Sequence, residues 1–272
     1  MGLRLEKTVP LALLLMAIAA GCAGADPSAT PLPAPARALA VAPDFAGTIW
    51  ETTGDRPWRS QDGGQSWQPV SGRMGAVGVA FTDFGSEVVG ASGAQRGDYG
   101  GSRLAGPRST PGTFISVCSP YHRSNRLYAI DVFGHLWLSA DAGRHWAKLR
   151  ANRLPASALA VAAVRGDVLQ PDAVYVAAGT AGLWRSRDDG ATFRHVPDVP
   201  EAHAVALTTD DQHLVLVAGD RVYLSTDYGQ TFLPVLARKV DAVAYDPRNH
   251  RLAYAAAGRT LLRSVDGGQT WP

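Results

Sequence analysis

An eight-residue pattern, Ser-x-Asp-x-Gly-x-(Ser/Thr/His)-(Trp/Phe), recurs five times in this 272-residue chain. It runs from Ser60 to Trp67, Ser139 to Trp146, Ser186 to Phe193, Ser225 to Phe232 and Ser264 to Trp271. One match would mean little, but five in register define an architecture, because self-similarity at a fixed period of about 20–50 residues marks a repeat fold. The box aspartates Asp62, Asp141, Asp188, Asp227 and Asp266 stand 79, 47, 39 and 39 residues apart. The first gap is close to two periods. A worn box, Arg96-Gly-Asp98-Tyr-Gly100-Gly-Ser102, falls inside it. Counting that copy gives six units of roughly 40 residues, the size of one four-stranded propeller blade.

Each unit repeats one inner grammar. A short Ala/Val run comes first, as in Ala38–Val41, Ala158–Ala163 and Ala242–Tyr245. A polar turn and a second apolar run ending near glycine follow, as in Val174–Gly179 and Leu252–Gly258. A third, alternating stretch such as Leu183–Ser186 leads into the box, and the box aromatic opens a fourth. Short runs rich in Val, Tyr and Trp, bounded by Gly, Pro and Asp, read as strands, and no helical period of useful length is present. The expected fold is all-β: a propeller of about six four-stranded blades over residues 38–272. Ala and Val suit the crowded axis, and Trp and Tyr the wider gaps between blades.

The box itself reads as a hairpin clasp between third and fourth strands. Asp and Ser side chains bond nearby backbone N–H groups in tight turns, and Gly supplies the left-handed position. Five aspartates spread round a ring cannot converge on one substrate. Each box also holds one or two carboxylates where a calcium ion takes six or more oxygens. Neither a catalytic nor a metal role is assigned to them.

The pattern resembles the Asp-box, or bacterial neuraminidase repeat, of sialidases, xyloglucan-active endoglucanases, sortilin-type receptors and photosystem II assembly factors. The resemblance spans about residues 38–272 and implies the fold. It does not imply an activity, since enzymes and non-enzymes share it. It also implies that a binding site lies on the face opposite the boxes. In character the chain is nearest the non-enzymatic assembly-factor-like and sortilin-like members.

Residues 1–22 read as a targeting segment. Arg4 and Lys7 precede an apolar run from Val9 to Ala20, which is short for a bilayer span. It ends in Ile18-Ala-Ala-Gly21-Cys22, which resembles a bacterial lipobox with Cys22 as the acylated residue. Ala23-Gly-Ala25 offers a site for ordinary secretion instead. The Pro/Ala-rich stretch 23–37 reads as a semi-rigid tether. An extracytoplasmic, lipid-anchored domain of the cell envelope is expected, with a secreted soluble form as the alternative. Beyond Cys22 only Cys118 remains, so the domain has no internal disulfide, and Cys118 sits in an apolar strand. The chain stops at Trp271-Pro272, where a fourth strand should begin. Either the last blade is short or a longer frame adds a seventh unit. A closing strand from the N-terminus would have to come from the proline-rich stretch, which suits only a sheet edge.

With the boxes on one face, second-to-third strand turns and inter-blade connections build the other. These segments carry Arg56, Arg73, Arg150, Arg153, Arg221, Arg238, Lys239 and Arg259, against Asp55, Asp198, Glu201 and Asp220. Arginine forks suit carboxylates and phosphates. Arg56, Arg73, Arg150, Arg153, Arg221 and Arg259 are the candidate ligand-binding residues. The irregular stretch Gly90–Gly112 does not read as an ordinary hairpin, and either a binding loop or a decayed blade fits it.

Tests for chemistry come out negative. There is no Arg-Ile-Pro motif, and the domain's few glutamates (Glu51, Glu87, Glu201) have no assignable tyrosine partner. No nucleophile elbow, zinc motif or phosphate loop occurs, and the histidines lack metal-ligand spacing. Neither metal nor cofactor is expected. A net charge of +2 is too small to argue for nucleic acid. The reading is a monomeric, non-catalytic scaffold that binds a protein or an anionic polymer through its arginine-bearing face. The alternative is a divergent, sialidase-like glycoside hydrolase or a glycan-binding module, with Trp58, Trp137 and Trp184 as candidate platforms.

Overall fold

The computed structural model describes residues 30–272 except 44, 46, 72–74, 83, 84, 91, 92, 98–103, 106, 107, 121–124, 165–171 and 209–213. The targeting segment with Cys22, residues 23–29 of the tether, Arg73 and the worn box beyond Gly97 lie outside these residues. What is described is all strand and turn. Six antiparallel sheets form six blades of a propeller. The first strands, Ala38–Val41, Ala76–Thr82, Phe114–Cys118, Ala160–Val164, Ala204–Leu207 and Ala242–Asp246, ring a narrow axial channel. Small Ala and Val side chains let the six strands approach the axis.

Packing is spread over all six seams. Six buried clusters occur, each joining two neighbouring blades. Blade 4 shows the rule: Val174 and Val176 face blade 3, while Tyr175 and Ala177 face blade 5. This is the period-2 alternation of a strand with both faces covered. Trp and Tyr infill was expected from the outer strands, but the fully packed aromatics Trp50, Tyr128, Tyr175 and Tyr254 come from second strands, and the third-strand Trp58, Trp137 and Trp184 are half-buried.

The ring closes with six blades. Thr30–Pro31 adds antiparallel to Thr260–Ser264 as the outermost strand of blade 6. The last blade is therefore four-stranded, and no seventh unit is needed to close the ring. Proline is tolerated there because the strand is an edge. The following stretch is packed, not free: the Leu32 N–H donates to the Arg259 carbonyl at 2.8 Å, and Leu32 and Ala36 are buried against Ile49 and Leu261.

Blade 2 departs from the pattern. It has three strands, Ala76–Thr82, Gly85–Gly90 and Gly93–Gly97. The stretch expected to resist hairpin packing does form one, since Gly93–Gly97 pairs along Gly85–Gly90. Ala94 and Arg108 then exchange both backbone hydrogen bonds, leaving the trace of a fourth strand. Gly93 permits this, having φ +108° and the Arg108 carbonyl where a Cβ would stand.

Candidate functional site

Geometry settles the role of the boxes. In each intact box the serine Oγ accepts from the glycine N–H, at 2.8 Å for Ser60 and Gly64, and donates to the box aspartate. The aspartate then accepts from the backbone N–H and the side chain four residues on, as Asp227 does from Thr231 at 2.9 and 2.6 Å. The Ser66 hydroxyl bond holds Asp62 at about 2. Partial burial opposes ionisation at Asp227 and Asp266, but bonds from Thr231 and Thr270 outweigh it and keep both at about 2. These carboxylates are already saturated by their own turns.

The boxes also lock neighbouring blades. A Cβ on Gly64, Gly190 or Gly268 would run into Leu261, Leu136 or Leu216 of the preceding blade. On Gly143 and Gly229 it would meet Glu87 and Tyr175. The sequence revealed the hairpin but not this inter-blade contact, and it showed one left-handed residue where there are two. Ala142, Asp189 and Tyr228 precede their glycines with φ of 56°, 58° and 61°.

In a meander the second-to-third strand turns share a face with the entries to the first strands, and the boxes share the other. On the face opposite the boxes, Arg221, Arg259 and Arg56 occupy equivalent turns of blades 5, 6 and 1, which are consecutive around the ring. Arg221 Nε lies 3.0 Å from Asp220 and Arg56 Nε 3.6 Å from Asp55. Arg259 is exposed. Arg238 and Lys239 are exposed in the connection from blade 5 to blade 6. At the axis Arg37 and His203 border the channel mouth, a cavity of about 120 Å³. His203 Nε2 lies 2.6 Å from Glu201.

Other connections of this face reach toward the box of the following blade. Asp198 accepts the Phe232 N–H of the next blade's box at 3.1 Å. Asn152 exchanges backbone hydrogen bonds with Ala191 and Phe193 beside the box of blade 4, and the exposed Arg150 and Arg153 flank it in the connection from blade 3 to blade 4, across the ring from the arc. Trp58, Trp137 and Trp184 are half-buried. The Trp137 and Trp184 indoles donate to Asp131 and to the Ala181 carbonyl. Among the described residues, no cluster of His, Cys, Asp or Glu suits a metal ion, and no helix is long and apolar enough to cross a membrane.

Two of the glutamates named in the sequence, Glu87 and Glu51, prove to be fully buried, which the sequence reading did not anticipate. Glu87 faces blade 3, where Arg108 donates to both its oxygens and Arg96 Nε lies 3.6 Å away. Glu51 faces blade 6 with neither oxygen hydrogen-bonded. Burial raises Glu51 to about 8 against the opposing field of Arg259, and raises Glu87 to about 7 against Arg108 and Arg96. Their signal was a glutamate in an apolar strand where other units carry Val, Ala, Leu or Tyr.

The profile of the BNR/Asp-box repeat matches residues 58–69. No curated protein matches the chain in sequence. Among solved structures it resembles the GH74 enzyme of Niastella koreensis, with 19% identity over 84% of this chain and a TM-score of 0.58. The chain spans 36% of that enzyme's length. It resembles YCF48 bound to a D1 peptide, with 18% identity, 89% of this chain, 83% of that one and a TM-score of 0.53. It also resembles PorZ, a surface component of the type-IX secretion system of Porphyromonas gingivalis, with 12% identity, 87% of this chain, 32% of that one and a TM-score of 0.59. At these identities the likeness is one of fold.

Proposed function

We propose that this Asp-box β-propeller is a non-catalytic, extracytoplasmic interaction scaffold that holds a protein partner or an anionic polymer on its arginine arc. The observation that carries the reading is the run of Arg221, Arg259 and Arg56 at equivalent turns of three consecutive blades, on the face free of boxes. Guanidinium groups repeated along an arc fit a ligand with spaced carboxylates or phosphates. Acids of that face are engaged locally, Asp55 with Arg56, Asp220 with Arg221 and Tyr223, Glu201 with His203, and Asp241 with the Gly258 N–H. That arrangement disfavours hydrolysis, since a glycosidase needs two free carboxyls about 5–10 Å apart. Fold likeness to a peptide-bound YCF48 and to PorZ agrees with a binding role, while the GH74 likeness keeps the glycosidase as the second reading. Acylation at Cys22 would tether the monomer to the envelope membrane, with the stretch from residue 23 as its spacer.

The test captures the full-length anchored protein from its native cells, beside a variant with Arg56, Arg221 and Arg259 all changed to serine. A partner retained by the wild type and lost from the variant is the expected result, with Cys22 lipid visible in the intact mass. Retention by both, or hydrolysis of a glycan panel by the wild type, overturns the reading.

A further inference from the structure

Across the axis from the arginine arc, the second turn of blade 3 has a different chemistry. Residues 132–135 read Val-Phe-Gly-His in place of the charged turns of blades 5, 6 and 1. Phe133 is 70% exposed and Val132 50%. Exposed apolar side chains on a floppy loop would carry little meaning, but this turn is built to hold them. Asp131, 2% exposed, accepts from the Phe133 N–H, the His135 N–H and the Trp137 indole, each at 2.9 Å, and its second oxygen lies 3.0 Å from His135 Nδ1. The Val132 N–H is fixed to the Thr113 carbonyl and the Gly134 N–H to that of Asp131. The Phe133 ring leans on His135 at 6.0 Å.

A basic strap runs beside the turn. The Leu149 N–H donates to Leu136 at the foot of the same hairpin, and the Ala156 carbonyl occupies the space a Cβ on Gly134 would take. Between these ties stand Arg150 and Arg153, both exposed and outside any ion pair among the described residues. The strap continues to Leu159, 41% exposed at the channel mouth. Neither 132–135 nor 149–159 contains an acid.

We propose that this edge of blade 3 is a second docking surface, separate from the arginine arc, for an acidic peptide segment carrying an apolar side chain. A rigid exposed aromatic supplies contact area at low entropic cost. The flanking arginines select the partner's sign. A second copy of the chain does not fit, because a two-fold contact would set the two arginines against themselves. The chain's own N-terminal segment is apolar but carries Arg4 and Lys7, the wrong sign for this surface.

The test selects a display library of random nonapeptides on the full chain and measures the enriched peptides by fluorescence anisotropy. Enriched peptides are expected to combine Asp or Glu with Leu, Ile or Phe. Phe133→Ser should weaken their binding about tenfold, as loss of a central anchor does. Arg150→Ser with Arg153→Ser should weaken it comparably and flatten its salt dependence. The Arg56/Arg221/Arg259 serine variant should stay within about twofold, the sites being distant. Failure of this surface is thereby separated from failure of the arc. Enriched peptides without acids, binding unchanged by Phe133→Ser, no enrichment, or Phe133-dependent binding to phosphatidylglycerol vesicles in place of peptide would each overturn the proposal.

Discussion

Two seams of the ring each bury a glutamate, and they handle it in opposite ways. Glu87, between blades 2 and 3, and Glu51, between blades 6 and 1, are both 0% exposed. By strand register Glu87 stands opposite Ala80, in the place that Tyr128, Tyr175, Leu216 and Tyr254 take in blades 3 to 6. There the tyrosine or leucine packs on the neighbouring blade. Glu87 instead receives Arg108 and Arg96, and the Arg96 guanidinium also donates to the Ala142 carbonyl in the box of blade 3. A polar clamp thus substitutes for an apolar knob in the one blade with an eroded box. Glu51 stands where the other blades place Val88, Ala129, Val176, Val217 and Ala255. It has no such clamp. The comparison teaches that burial alone does not tell whether a charge-capable residue supports a fold; the partners do.

The largest effect should come from breaking the clamp. Glu87→Ala leaves two arginines facing a buried seam without their counter-charge, a class of change that costs about 3–5 kcal/mol. Urea denaturation of the variant beside the wild type checks it, and a loss below about 1 kcal/mol would mean the arginines swing out to solvent. The mirror experiment at the other seam should have the opposite sign. Glu51→Val installs the side chain that Val176 and Val217 already place in the equivalent position, and it removes two unsatisfied oxygens. A gain of about 1–3 kcal/mol is expected, the usual penalty of an unpaired buried polar group. A loss would mean that Glu51 has a partner on the seam.

How the fold could be read from the residues follows from the same contrast. Five boxes in register dictated the blades, because each box satisfies its own turn from residues within eight positions. Local chemistry is legible locally. The closing strand at Thr30–Pro31 was not, since its pairing with Leu261 and Thr260 spans the whole chain and proline argues against a strand everywhere but at an edge. The arc was partly legible: Arg56, Arg221 and Arg259 follow from topology once the strands are counted. Arg150 and Arg153 share the arginine chemistry but belong to the connection after blade 3, across the ring from blade 6. Asn152 bonding to the next blade's box, with Leu149 and Ala156 held at the blade 3 turn, fixes that connection through contacts distant in sequence. Asp131 was the visible clue to the blade 3 turn, an acid where blades 4 and 6 end their second strand in Ala-Gly. Its web of four nitrogen partners emerges only in three dimensions.

The finest distinction between the seams lies in pH. An ordinary glutamate titrates at 4.5; Glu87 is raised to about 7 and Glu51 to about 8. A carboxyl with a raised folded value holds its proton longer in the native state, so its stability contribution is complete below 4.5 and is lost as pH rises through the folded value. Both seams should weaken the protein between pH 4.5 and 7, but only Glu51 continues to do so from 7 to 8. Stability measured across that upper window should fall in the wild type and stay level in Glu51→Val. Arg259→Ser sharpens the assignment. Its charge opposes the desolvation of Glu51, so removing it should push the falling limb to still higher pH, with Glu87 unaffected. Because Arg259 is exposed and its field is screened, that displacement should shrink as salt is added, and it is the smallest of the effects. A limb that stays in place in Arg259→Ser would assign the titration to a group other than Glu51.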